Sequence, residues 1–149
     1  MKAGNYMNVV KDIICTVCGV VGSAIAAAFG GWNAGMVTLL IFMAIDYISG
    51  LVVAGVFKKS QKTNSGALES RAGWKGLIRK GMILLIVLIA HRLDLLIGSN
   101  YIRDAVCIAF SVNELLSIVE NAGLMGIPMP AVITKAIDIL KHKGDHDDN

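Results

Sequence analysis

"AGMVTLLIFMAIDYISGLVVAGVF", residues 34–57, decides the class of fold, because Asp46 is its only charge. A bilayer core about 30 Å thick needs roughly 20 apolar residues to cross as a helix. This stretch is long enough. Two further blocks resemble it. Residues 13–31, "IICTVCGVVGSAIAAAFGG", carry no charge, and residues 81–90, "GMILLIVLIA", continue through "HRLDLLIG" to Gly98. Only 17% of the 149 residues are charged and 55% are apolar. A soluble domain carries about 25% charged residues. One compact unit is expected at this length, and it reads as an integral membrane protein.

The N-terminus invites a second reading. Lys2 and Lys11 are basic, an apolar stretch follows, and "AIA" at 24–26 resembles a signal-cleavage site. The apolar run continues past it, so the expectation is a retained first helix. Three cysteines are an odd number and imply no closed disulfide framework. Cys15 and Cys18 form a CxxC, but inside an apolar helix they read as small apolar residues, and so does Cys107.

Charge sets the expected topology. Lys58, Lys59, Lys62, Arg71, Lys75, Arg79 and Lys80 stand against Glu69 alone in 58–80, whereas the 31–35 turn "GWNAG" has no charge. Positive loops stay in the cytoplasm. The expected order is a cytoplasmic N-terminus at 1–12, a tight transmembrane hairpin over 13–57 and a basic cytoplasmic loop at 58–76. A third and a fourth membrane helix follow within 77–120. A Gly/Pro break, an amphipathic helix and an acidic tail fill 121–149.

The fourth helix is finely balanced. Eight strongly apolar residues between 105 and 119 contribute about −4 kcal/mol on the insertion scale, and one central charge costs about +3 kcal/mol. In "NELLSIVENAGLMGIPMP" (Asn113–Pro130), Asn113, Ser117, Glu120 and Asn121 share one helical face and Glu114 borders it. Gly123, Gly126, Pro128 and Pro130 end the helix. Ile133, Ala136, Ile137 and Leu140 then form one face of an amphipathic helix from about Ala131 to Lys143. His142 and His146 are four apart, but Gly144 interrupts them, so no metal site is expected.

No arrangement of residues suggests an enzyme, a cofactor or nucleic-acid binding. Small residues and intramembrane polar groups carry the interest. Gly19, Ser23 and Ala27 recur every four residues, a pattern that lets helices approach. It suits a hairpin contact and self-association equally. Asp46, Gly50 and Ala54 share a face of the second helix. An acid in hydrocarbon is a functional candidate. Its solutions are protonation, a hydrogen bond to Tyr47 or Ser49, or a partner on another helix. Arg92 and Asp94 read as an interfacial ion pair, with His91 at the same interface.

"DYISG" at Asp46–Gly50, "GLIRK" at Gly76–Lys80, "AHRLD" at Ala90–Asp94 and "NELLSIVENAGLMGIPMP" occur in the order found in the toxin-secretion/phage-lysis holins of Gram-positive bacteria and their phages. The chain resembles that family from about Asp46 to Leu140; its first helix matches only in character. The resemblance implies an all-α integral membrane protein of the bacterial host's cytoplasmic membrane. It would have three transmembrane helices, a polar-striped fourth and a C-terminal amphipathic helix. Homo-oligomers would open lesions through which a muralytic enzyme or toxin cargo passes without direct binding. Asp46, Asn113, Glu114, Ser117, Glu120 and Asn121 would be the intramembrane assembly residues. By their spacing, Gly19, Ser23, Ala27, Gly50 and Ala54 are the expected packing residues. A small-solute channel and a non-conducting antiholin are the alternatives, and an antiholin is also an expected partner. A start at Met7 would remove one inner positive charge, Lys2.

Overall fold

Alternating spacings of three and four residues between inward-facing side chains build the core. The computed structural model describes residues 2–63, 65–133, 135–136 and 139. Its helices are α1 (Lys2–Ala28), α2 (Ala34–Val52), α3 (Ser70–Ile97) and α4 (Ile102–Leu124), and a π-helical turn, Val53–Phe57, prolongs α2. Among the described residues there are no strands. Residues 131–133 and 135–136 are helical too. Ile137, Leu140, His142 and His146, singled out above, lie outside the described residues.

Two helical stretches, Tyr6–Ala28 and Ala34–Phe57, are long and apolar enough to cross a membrane. The chain forms two compact units, Met1–Asn33 and Ala34–Asn149. The first is α1 with its terminal turn. There the Gly31 N–H donates to the Ala26 carbonyl at 2.8 Å and the Gly30 N–H to the Ala27 carbonyl at 3.1 Å. Ile13, Val17, Val20 and Val21 of α1 are exposed apolar surface.

The second unit is a three-helix core. α2 buries Met36, Leu39, Met43 and Asp46, α3 buries Ile83, Val87, Ala90 and Asp94, and α4 buries Cys107, Glu114 and Asn121. Spacings of three and four, or of seven, belong to helices that pack at shallow angles. α2 and α4 run side by side in the same direction. Thr38 and Phe42 share a recess with Ile108 and Leu115, and three turns later Ser49 meets Asn121. α3 runs the opposite way: Tyr47 packs against its start and the beginning of α4 bonds to its end.

α3 begins inside the segment read from sequence as loop. Glycine in a helix costs about 0.5–1 kcal/mol relative to alanine, yet Gly73 and Gly76 are helical. Both lie against Tyr47. A Cβ on Gly73 would lie 3.7 Å from the Tyr47 hydroxyl, and one on Gly76 4.0 Å from its ring. Ahead of α3 the basic loop folds back on itself. Ser60 N–H donates to the Gly66 carbonyl at 2.9 Å. Gly66 has φ +68°, and a Cβ there would run into the Lys58 carbonyl.

Asp94 makes the α3–α4 corner. Gly98, at φ 68°, caps α3 in the left-handed conformation. The Asp94 carboxylate accepts the Ile102 N–H at 3.0 Å and the Arg103 N–H at 2.9 Å, as well as the Ser99 hydroxyl. It therefore caps α4 from eight residues upstream. The ion pair with Arg92 expected from sequence does not form; Arg92 is exposed and Asp94 is spent on backbone donors. Asp94→Ala is expected to cost about 1–2 kcal/mol, as loss of a helix cap does, and Asp94→Asn less. Hydrogen exchange checks this: the Ile102 and Arg103 amides should lose protection in the alanine variant. Unchanged protection would remove Asp94 as the cap.

Candidate functional site

Three helices converge on one ammonium group. Lys80 of α3 places Nζ 2.8 Å from Asp46 Oδ2 of α2 and 2.5 Å from Glu114 Oε2 of α4. The three side chains are only 12%, 9% and 8% exposed. The network extends one turn along α2. Asn121 Nδ2 donates to Ser49 Oγ at 2.9 Å and lies 3.2 Å from Asp46 Oδ1. Ser49 Oγ in turn donates to the Asp46 carbonyl at 3.0 Å. A Cβ on Gly50 would sit 3.8 Å from Asn121 Nδ2, so a small residue there leaves space for the amide. Among the described residues no buried side-chain nitrogen or oxygen lacks a partner.

The electrostatics follow from the count. One ammonium faces two carboxylates, which leaves one negative charge in excess when all three groups are ionised. A charge at the centre of a membrane helix costs about 2.5–3.5 kcal/mol on the insertion scale. The site is therefore a clasp: it joins α2, α3 and α4 through buried charges.

The polar stripe of α4 is divided between the interior and the surface. Glu114 and Asn121 are buried, Ser117 is half-buried, and Asn113 and Glu120 are exposed. Asn113 and Glu120 are seven residues apart, and so are Glu114 and Asn121. Two helical turns separate each pair, so spacing alone makes two neighbouring rows equally good candidates. Packing selects the row that reaches Lys80 and Ser49.

Lys80 is the residue that sequence reasoning misplaced. Charge counting groups it with Lys58, Lys59, Lys62, Arg71, Lys75 and Arg79 as a topology charge, and those six are exposed. A signal was present: Gly73, Gly76, Lys80, Ile83, Val87, Ala90 and Asp94 follow alternating three- and four-residue steps, so Lys80 lies on the packing face. Ala54 is buried at the end of α2. Gly19, Ser23 and Ala27 are exposed on α1, and a Cβ on Gly19 would meet nothing within 4 Å. Tyr47 turns to α3 and Ser49 bonds the backbone of Asp46, so the carboxylate finds its partner on another helix.

Comparisons with known proteins join this geometry to a family. The model of the bacteriophage holin family matches residues 23–142. A Listeria monocytogenes protein, described as uncharacterized, is 38% identical over 128 residues, 85% of this chain and 86% of its own. A Clostridium perfringens protein, described in the same way, is 34% identical over 137 residues, 89% of this chain and 96% of its own. A protein of Bacillus phage phi105 named "Probable holin" is 32% identical over 108 residues, 72% of this chain and 74% of its own. No solved structure matches the chain. The family match takes in α2, α3 and α4 with the whole clasp, and it covers most of the sequence: this membrane protein belongs to the bacteriophage holin family.

Proposed function

We propose that the chain accumulates in the bacterial cytoplasmic membrane as clasped helical units, then assembles into homo-oligomeric lesions. A muralytic enzyme or a large protein cargo leaves through them. The observation that carries this reading is the clasp itself, a set of charges buried between three helices in a holin. Closed, it pairs its own buried charges within one subunit, so single copies rest in lipid. A lesion wall must face water, and rotation of these helices would present Asp46, Lys80, Glu114 and Asn121 to it. Polar groups at membrane depth are tolerated where they are buried in protein or line water.

The proposed topology has four crossings with the N-terminus inside. α4 supports it by running parallel to α2. Asp46 is twelve residues into α2 and Glu114 twelve residues into α4, which puts both about 18 Å from their helix starts. A neighbour held at equal depth over that length crosses with α2. The basic loop then faces the cytoplasm. A cysteine placed at Ser65, with Cys15, Cys18 and Cys107 replaced, is expected to resist an impermeant thiol reagent in intact spheroplasts and to react after permeabilisation. Labelling before permeabilisation would reverse the topology.

The function is tested by induced expression with a membrane-potential dye and a supplied muralytic enzyme. Abrupt collapse of the potential followed by lysis is expected. Slow ion-selective flux in living cells would mean a channel, and no flux would mean an antiholin-like scaffold.

A further inference from the structure

α3 divides its cations between two faces. Lys80 turns inward with Gly73 and Gly76, whereas Arg71, Lys75 and Arg79 are exposed at intervals of four residues. The rungs are about 6 Å apart along the axis. Exposed apolar residues flank them: Trp74 at 64%, Ile78 at 51% and Met82 at 53%. The nearest acid, Glu69, precedes the helix and accepts a hydrogen bond from Ser65 Oγ at 3.1 Å. The ladder therefore carries positive charge without a compensating acid on its own face. From Gly81 the helix has no charged residue until Arg92.

We infer that this outward face of α3 binds the headgroups of anionic phospholipids in the leaflet on the side of the basic loop. The inference rests on α3 being a membrane crossing. Three features fit a lipid surface. Guanidinium groups meet phosphate in a bidentate fork, and a lysine adds a point charge. Tryptophan prefers the boundary between headgroups and chains. The ladder also ends where the uncharged stretch begins, so its cations lie at headgroup level while Met82 reaches toward the acyl chains. Zwitterionic headgroups offer phosphate too, but their own ammonium competes for it. Excess positive charge selects lipids with net negative charge.

Trp74 can report on this. The chain has two tryptophans, and Trp32→Phe leaves Trp74 alone. The variant is reconstituted in vesicles of equal parts phosphatidylglycerol and phosphatidylcholine. Bromine quenchers are placed on the acyl chains of one lipid or the other, so the composition never changes. Phosphatidylglycerol is expected to quench Trp74 about twofold more strongly. Arg71→Gln, Lys75→Gln and Arg79→Gln together should equalise the two, while Lys80 keeps the interior intact. Equal quenching in the unsubstituted ladder would overturn the inference, and so would a preference that survives the triple substitution. Quenching by neither lipid would overturn both the inference and the reading of α3 as a crossing.

Discussion

Lys80→Met is expected to be the most damaging single substitution in the chain. Methionine keeps the length of the side chain and removes the ammonium. Asp46 and Glu114 then face each other with no counter-charge, both less than a tenth exposed. Breaking a buried ion pair by deleting one partner costs about 3–5 kcal/mol, because a charge is left uncompensated. Here two are left. α4, finely balanced on its own apolar content, should separate from α2. Membrane abundance measured by immunoblot is expected to fall several-fold, with no lysis at the native time. Lys80→Arg should retain most of the abundance, because it keeps the charge. Arg79→Met is the control: its side chain is exposed, and exposed substitutions change stability by about 0.5 kcal/mol or less. If Lys80→Met behaves like Arg79→Met, the clasp contributes nothing to assembly of the unit.

Asp46→Leu is expected to separate stability from timing. It removes the excess negative charge and leaves Lys80 paired with Glu114, so the unit keeps a neutral ion pair. Asn121 keeps Ser49 as an acceptor. Leucine also makes α2 more lipid-soluble by about 3 kcal/mol on the insertion scale. An interhelical hydrogen bond in a membrane is worth only about 0.6–2 kcal/mol, so the gain in lipid solubility outweighs the lost bond. Accumulation should therefore be normal. Turning α2 toward water becomes harder by the same 3 kcal/mol, roughly a hundredfold in equilibrium, in every subunit. Lysis is expected to be strongly delayed or lost at matched abundance. Asp46→Asn keeps a polar group in place and should shift the time only modestly. Native timing in the leucine variant would reduce Asp46 to a packing residue.

The sequence makes some of this visible and hides the rest for identifiable reasons. The uncharged blocks are local, so α2 could be read almost to its ends, residues 34–57 against Ala34–Val52 with its Val53–Phe57 extension. Gly98 and Gly126 mark helix ends, and both have positive φ in the structure. Asp46 stood out because a lone acid in a long apolar run has to be answered by something. Its answer lay 34 residues away, and Glu114 another 34 beyond Lys80. Lys80 also ends a run of loop cations, so charge counting absorbed it. The expected face of α4 shares Ser117 and Asn121 with the buried row, but a seven-residue repeat does not say whether Asn113 and Glu120 or Glu114 completes it. Asp94 caps α4 only once the Gly98 corner has turned the chain back, and that geometry is invisible to spacing. Gly73 and Gly76 read as loop residues, and Tyr47, against which they lie in α3, belongs to another helix.

In the proposed function the polarity of the clasp ties fold to lesion, and one variant tests it. Lys80→Met, Asp46→Leu and Glu114→Leu combined replace all three charges with apolar side chains. Such replacements are often neutral or stabilising by about 1–4 kcal/mol, so the variant should accumulate to native abundance. It then has no ionic groups there to turn toward water. Cells expressing it, with abundance matched by immunoblot, are expected to hold their membrane potential past the time at which the native chain collapses it. Collapse on the native schedule at matched abundance would contradict a role for the clasp in opening the membrane.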